Sequence, residues 1–187
     1  MFLDTEIKSA ITQLRKGGTI LYPTDTVWGL GCDATNVGAV QKVYALKNRE
    51  ESKSLVILVS SLDMLEKYIK EIPQKALELI KESTKPTTII YQNPFGFADN
   101  TIATDNSIAI RIPKHVFCVK LIEEFDKPIV STSANLSGHS TPKSFSEIHT
   151  PILEGADYVV NLERKKITDR SSTILRINGD AVEVIRA

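Results

Sequence analysis

The chain has 187 residues, is 42% hydrophobic and 25% charged, and sets 23 Lys+Arg against 23 Asp+Glu for a formal net charge of zero. A chain of this size and balance can build a proper core, which excludes wholesale disorder, a coiled coil, a collagen-like repeat and a generally basic coat for nucleic acid. Neutrality still permits a local basic pocket, because net charge averages over the whole surface.

The opening MFLDTEIKSA carries no apolar leader, and the longest apolar runs, such as Leu55–Val59, are strand-sized. Neither a signal peptide nor a membrane span is expected. Cys32 and Cys118 lie far apart without CxxC spacing, and there are three histidines, so no disulfide framework or zinc cluster is expected. A reducing cytoplasm is the expected compartment.

Ile7, Ala10, Ile11 and Leu14 repeat with helical spacing after a candidate cap at Asp4 or Thr5, and Gly17-Gly18 supplies the stop. Thr19–Tyr22 reads as a short strand halted at Pro23, and Val27–Cys32 as a second. Val37, Val40, Val43 and Tyr44 mark a helix ending near Leu46. Leu55–Val59 reads as a strand buried on both faces. Leu62, Leu65, Ile69 and then Ala76, Leu77, Ile80 mark two helices separated by Pro73. Thr87–Tyr91, Ser107–Ile112 and Pro128–Ser131 read as strands, with a helix from about His115 to Phe125 between the last two. Tyr158–Asn161, Ser172–Ile177 and Ala181–Ile185 are the closing strands, and Asn178-Gly179 signals a hairpin between the last pair. Interleaved helices and strands without a dividing linker or repeat predict one α/β domain, residues 1–187, with a mixed sheet. Gln92–Asn106 and Thr132–Lys143 are irregular stretches of a length expected to be functional or mobile.

Five segments carry chemistry, each with an ordinary alternative. In Tyr22–Asp33, YPTDTVWGLGCD, the Thr and Asp side chains either satisfy their own turn, or Thr24 and Thr26 offer hydroxyls while Gly29 and Gly31 let a ligand approach the backbone. Lys47 and Arg49, with Lys53 beyond, either complement a helix C-terminus or converge on a polyanion. Strand alternation puts Ser107, Ala109 and Arg111 on one face and Ile108, Ile110 and Ile112 on the other, so Arg111 is a solvated edge residue or one wall of a carboxylate or phosphate site. Ser131–Gly138, STSANLSG, is a turn, or a ligand loop after the carboxyl end of a strand. Ser171-Ser172-Thr173, with Arg186 near the end, says little alone. No histidine is paired by sequence with a nucleophile, and acids are not clustered for a metal. Hydroxyls, amides and cations on loops suit binding and orienting an anionic substrate.

Taken in order, YPTDTVWGLGCDA, the Lys-x-Arg element at Lys47 and Arg49, IAIRIP, the Ser-x-Asn element at Ser133 and Asn135, and the late SST resemble the YrdC/Sua5 family from about Gly17 to Arg186. The resemblance implies the YrdC/RibB-like fold, a twisted mixed sheet flanked by helices, with a concave cationic cleft. It also implies threonylcarbamoyl-AMP synthesis from L-threonine, bicarbonate or CO2 and ATP, releasing pyrophosphate, for t6A modification of tRNA. Carried over by residue, the catalytic basic pair is Lys47 and Arg49. ATP contacts fall on Arg49, Lys53, Ser107, Asn135, Lys143 and Arg186, and threonine contacts on Thr26, Arg111, Ser133 and Ser172. Mg2+ is implied as the companion of ATP, with no metal ligand from the protein.

The implied partners are the machinery that transfers the group to tRNA, with weak RNA contact and no membrane. Trp28 departs from the family's Tyr or Phe, Leu58 stands where longer relatives have His, and Lys143 stands where Ser or Thr is common. The chain resembles the short form without the extra C-terminal domain. An RNA-binding module of the same fold and a YciO-like paralogue with another substrate are the alternatives. If Lys47, Arg49, Lys53, Arg111, Lys143 and Arg186 face one pocket, neutrality conceals a cationic cleft in an acidic body.

Overall fold

The structure is a computed structural model that describes residues 2–50, 55–179 and 181–187. Helix α1, Phe2–Arg15, buries Ile7, Ala10, Ile11 and Leu14 on one stripe and packs against α5, Val116–Phe125, which buries Phe117, Cys118, Leu121 and Ile122. The helix begins ahead of the expected cap: Asp4 lies inside its first turn, where a carboxylate complements the N-terminal dipole. It stops as the sequence requires. Gly17 takes φ +69°, and the N–H groups of Gly17 and Gly18 bond back to Leu14 and Gln13.

Strands β1, Ile20–Tyr22, and β2, Gly29–Gly31, are antiparallel and joined by the PTDT turn. Helix α2, Val37–Lys47, is capped by Asn36, whose side chain accepts from Ala39 N at 3.0 Å, and ends at Asn48 in the left-handed region. Strand β3, Val56–Leu58, is followed by helices α3, Leu62–Glu66, and α4, Gln74–Glu82. Then come β4, Thr87–Gln92, β5, Ser107–Arg111, and, after α5, β6, Ile129–Ser133. Helix α6, Thr150–Gly155, has too short an apolar pattern to stand out in the sequence. Strands β7, Tyr158–Val159, β8, Thr173–Asn178, and β9, Ala181–Arg186, complete the chain.

All nine strands form one mixed sheet in the order β7-β1-β2-β6-β3-β5-β4-β8-β9. The parallel pairs are β1/β7, β3/β5 and β4/β8. Register fixes which side chains share a face. Val56 lies beside Ala109, Leu58 beside Arg111 and Gln92 beside Ser107, so Ser107, Ala109 and Arg111 do share one face while Ile108 and Ile110 are buried on the other. The final hairpin expected at Asn178-Gly179 is present, pairing Asn178 with Ala181, with Gly179 at φ +61°. Among the described residues no helix is long and apolar enough to cross a membrane.

Candidate active site

The sheet face carrying Arg111 opens into a cavity of about 230 Å³. Its walls come from the PTDT turn and β2 (Thr26, Val27, Trp28, Gly29), the segment after α2 (Arg49), the entry to β3 (Leu55, Val56) and β6 (Ser131, Thr132, Ser133). Thr141, Ser171, Ser172, Ile174, Arg111 and Arg186 complete it. Among the described residues no carboxylate lines it. Three arginines share the space with eight serine, threonine and glycine positions, and at Gly29 a Cβ would stand 3.2 Å from Ser131 Oγ and 3.3 Å from the Tyr22 ring.

Arg111 is 4% exposed and ion-paired with Asp25, and its Nη2 donates to Thr26 Oγ1 at 3.4 Å. Arg186 bends from the end of β9 so that Nε and Nη2 donate to the Ser172 carbonyl at 3.2 and 2.8 Å, and Nη2 reaches Ser172 Oγ at 3.2 Å. Ser172 Oγ also accepts from Thr88 at 2.8 Å. Burial, and then the charge of Arg111, lower the pKa of Arg186. Arg111 is already paired with Asp25, and Arg186 adds a second guanidinium at the same cavity, a charge that an anion would complement.

Lys47 takes a different place from the one its motif suggests. Its side chain is buried, does not line the cavity, and donates through Nζ to the backbone carbonyls of Ser133 and Asn135, the latter at 2.5 Å. The Lys47 carbonyl in turn accepts from Ser137 N at 2.8 Å. Burial, and then the neighbouring Arg49, push its pKa down to about 7. Lys47 therefore braces the loop that presents Ser133.

Asn135 also lies behind the wall, with Nδ2 donating to the carbonyls of Leu136 and His139 and Oδ1 buried without a partner among the described residues. Ser107 sits at the far end of β5 from Arg111, roughly 13 Å along an extended strand, where its Oγ donates to Asp105 at 2.5 Å beside Arg176. Lys143 is exposed and lines no part of the cavity; its backbone N–H bonds Glu147. Lys53 lies outside the described residues. Of the six cations expected to face one pocket, Arg49, Arg111 and Arg186 do so, and Lys47 and Lys143 do not.

Two readings of the glycines separate here. Gly29 lines the cavity, whereas a Cβ on Gly31 would stand 2.0 Å from the Val130 carbonyl, so Gly31 answers to strand packing and not to a ligand. Leu58 is wholly buried beside Arg111 and lines nothing. Trp28 does line the cavity and packs on Phe145 at 4.9 Å between ring centres. Sequence reasoning singled out the segments that hold Asp25, Ser131, Thr132, Thr141 and Ser171 but gave these residues no contact of their own. The alternation of β6 shows that Ser131 and Ser133 share a face, but only the cross-chain pairing with Arg111 reveals Asp25.

The family model described as "Telomere recombination", covering Sua5, YciO and YrdC proteins, matches residues 12–187. The threonylcarbamoyl-AMP synthase of Pseudoalteromonas translucida is 38% identical over 162 residues, covering 83% of this chain and 84% of the relative. The putative threonylcarbamoyl-AMP synthase of Methanocaldococcus jannaschii is 34% identical over 190 residues, 98% of this chain and 87% of the relative. The structure of Pyrococcus abyssi Sua5 complexed with L-threonine superposes with a TM-score of 0.88 at 28% identity over 96% of this chain, which spans 53% of that Sua5 chain. With the motifs on one sheet face and the match running through nearly the whole sequence, the chain belongs to the Sua5/YciO/YrdC family.

Proposed function

We propose that the chain is a threonylcarbamoyl-AMP synthase that joins L-threonine, bicarbonate or CO2 and ATP, releasing pyrophosphate. The observation that carries this reading is the convergence of Arg49, Arg111 and Arg186, with Thr26, Ser133 and Ser172, on one cavity that no carboxylate of the described residues lines. The names of the similar synthases and the threonine complex of the Pyrococcus protein support it.

In this reading Arg111 takes the threonine carboxylate, while Thr26, Ser133 and Ser172 orient the amine and hydroxyl. The threonine amine attacks the carbon of bicarbonate, water leaves, and a carbamate forms. A carbamate oxygen then bonds the α-phosphorus of ATP as the bond to the β-phosphate oxygen breaks, and the electron pair leaves with pyrophosphate. Arg49 and Arg186 stabilise charge on the departing group, so catalysis rests on position and charge.

Ser107 lies on the same sheet face at a separation an adenosine can bridge. Asn135 and Lys143 would meet the nucleotide only from behind or at the rim. Magnesium would come with ATP, held mainly by phosphates and water, and would neutralise phosphate charge.

Pyrophosphate release measured with threonine and bicarbonate omitted in turn tests the reading. Release is expected only with both present, and release that ignores threonine would assign the chain to another reaction. Comparable turnover with serine in place of threonine would move it to a paralogous substrate.

A further inference from the structure

By composition, Asp25 is a turn residue that would bond its own backbone. In the fold its carboxylate reaches across the chain instead. Oδ1 pairs with Nη1 of Arg111, and Oδ2 accepts the backbone N–H of Lys114 at 3.1 Å. One side chain of the β1–β2 turn thus ties down both the end of β5 and the residues that follow it. The two partners are 10% and 4% exposed, and a guanidinium so buried is strongly disfavoured without a counter-charge.

Thr26 adds a weaker hold at 3.4 Å, and is itself fixed by Thr24, whose Oγ1 accepts Thr26 N–H at 2.9 Å. Not every donor of the guanidinium group is committed by these contacts. Arg111 Nε is buried and has no partner among the described residues, although Arg111 lines the cavity. A guanidinium gripped by a carboxylate on one side, with an unpaired donor left over, is oriented and can still engage a second planar anion.

We infer that Asp25 is a positioning residue that sets the plane of the Arg111 guanidinium, and that this clamp makes the cavity select a substrate carrying a free α-carboxylate. The inference rests on the amino-acid substrate proposed above. It assigns Asp25 no contact with the substrate and no part in bond making.

The test compares L-threonine with L-threoninamide, which lacks the carboxylate, by calorimetric titration of the wild-type chain, Asp25→Asn and Asp25→Glu. Guanidinium nitrogen–proton NMR spectra of Arg111 are recorded alongside. A lost charge-assisted contact corresponds to roughly tenfold or more, so Asp25→Asn is expected to weaken threonine by at least that factor while leaving threoninamide within about twofold. Asp25→Glu is expected to restore most of the discrimination, and the Arg111 side-chain signals, held apart by the ion pair in the wild type, are expected to average in Asp25→Asn.

Equal weakening of both ligands, or undiminished threonine binding in Asp25→Asn, would overturn the selectivity. Unchanged Arg111 signals would overturn the clamp. A wild-type chain that binds neither ligand, with Arg111 signals still averaging in Asp25→Asn, would overturn the threonine reading and uphold the clamp.

Discussion

The two long irregular stretches look alike as sequence and are opposites as structure. Gln92–Asn106 folds back on α2: Phe97, Ala98 and Thr101 are buried, Ala98 N donates to Ala34 O at 2.9 Å, and Tyr44 donates its hydroxyl to Asn100 O at 3.1 Å. None of its residues lines the cavity beside Arg111. Thr132–Lys143 contributes Thr132, Ser133 and Thr141 to that cavity, and its backbone is held by the buried ammonium of Lys47. Length and turn residues therefore do not mark a functional loop. The distinction lies in what stands behind it: apolar anchors make the first a piece of the core, and a polar brace leaves the hydroxyls of the second facing outward.

Substitutions can break this contrast or sharpen it. The largest effect is expected for Arg49→Ala, which removes a cation from the cavity next to the braced loop. By analogy with losing one preorganised charge-stabilising donor, pyrophosphate release should fall about 10²–10³-fold with little change in melting temperature. Retention of most activity would remove Arg49 from the site. Phe97→Ala should act on stability alone: an emptied aromatic site costs about 3 kcal/mol or more, read in urea unfolding, while the KM values for ATP and threonine stay within about twofold. A matching rise in either KM would mean that the anchored loop serves the site after all.

Lys47→Met should lie between these, lowering both stability and turnover. Hydrogen bonds from a charged donor are each worth about 1.5–3 kcal/mol, and their loss frees the Ser133–Asn135 backbone. The same residue gives a pH signature. Its folded-state pKa is depressed to about 7 from 10.5, so between those values the unfolded chain binds more protons and this group makes unfolding free energy rise with pH. Urea midpoints of the wild type relative to Lys47→Met should therefore increase from pH 7 to pH 10; a difference that shrinks over that range would contradict a buried, depressed ammonium. The smallest effect is expected for Lys143→Ala, within about twofold in the KM for ATP, as for an exposed lysine that does not line the cavity.

Much of the fold was legible because its signals are local. Alternation in Ser107–Arg111 separates a polar face from an isoleucine face, and the structure keeps that division. The glycine stop after α1 behaves likewise, and the apolar run at β3 does so except at Val56, which is only partly buried and lines the cavity. Details that depend on neighbours were not legible. The site brings together the β1–β2 turn, the segment after α2, β6 and the last hairpin, and only sheet order sets these side by side. For the same reason Lys47 and Arg49, two residues apart, part company: the first turns inward to carbonyls on another element, and the second reaches the cavity. Asp25 and Gly31 are further cases in which a long-range partner, unseen in the sequence, decides the role.

The central claim is that the cavity lined by Arg49, Arg111 and Arg186 joins an amino acid to an adenylate through a carbamate. Carbon-labelled bicarbonate supplied with ATP and threonine tests it most directly, with products resolved by mass spectrometry. The account predicts a threonine-dependent adenylate carrying the label, formed in equal amount with pyrophosphate. Pyrophosphate released while the label stays in bicarbonate would contradict it.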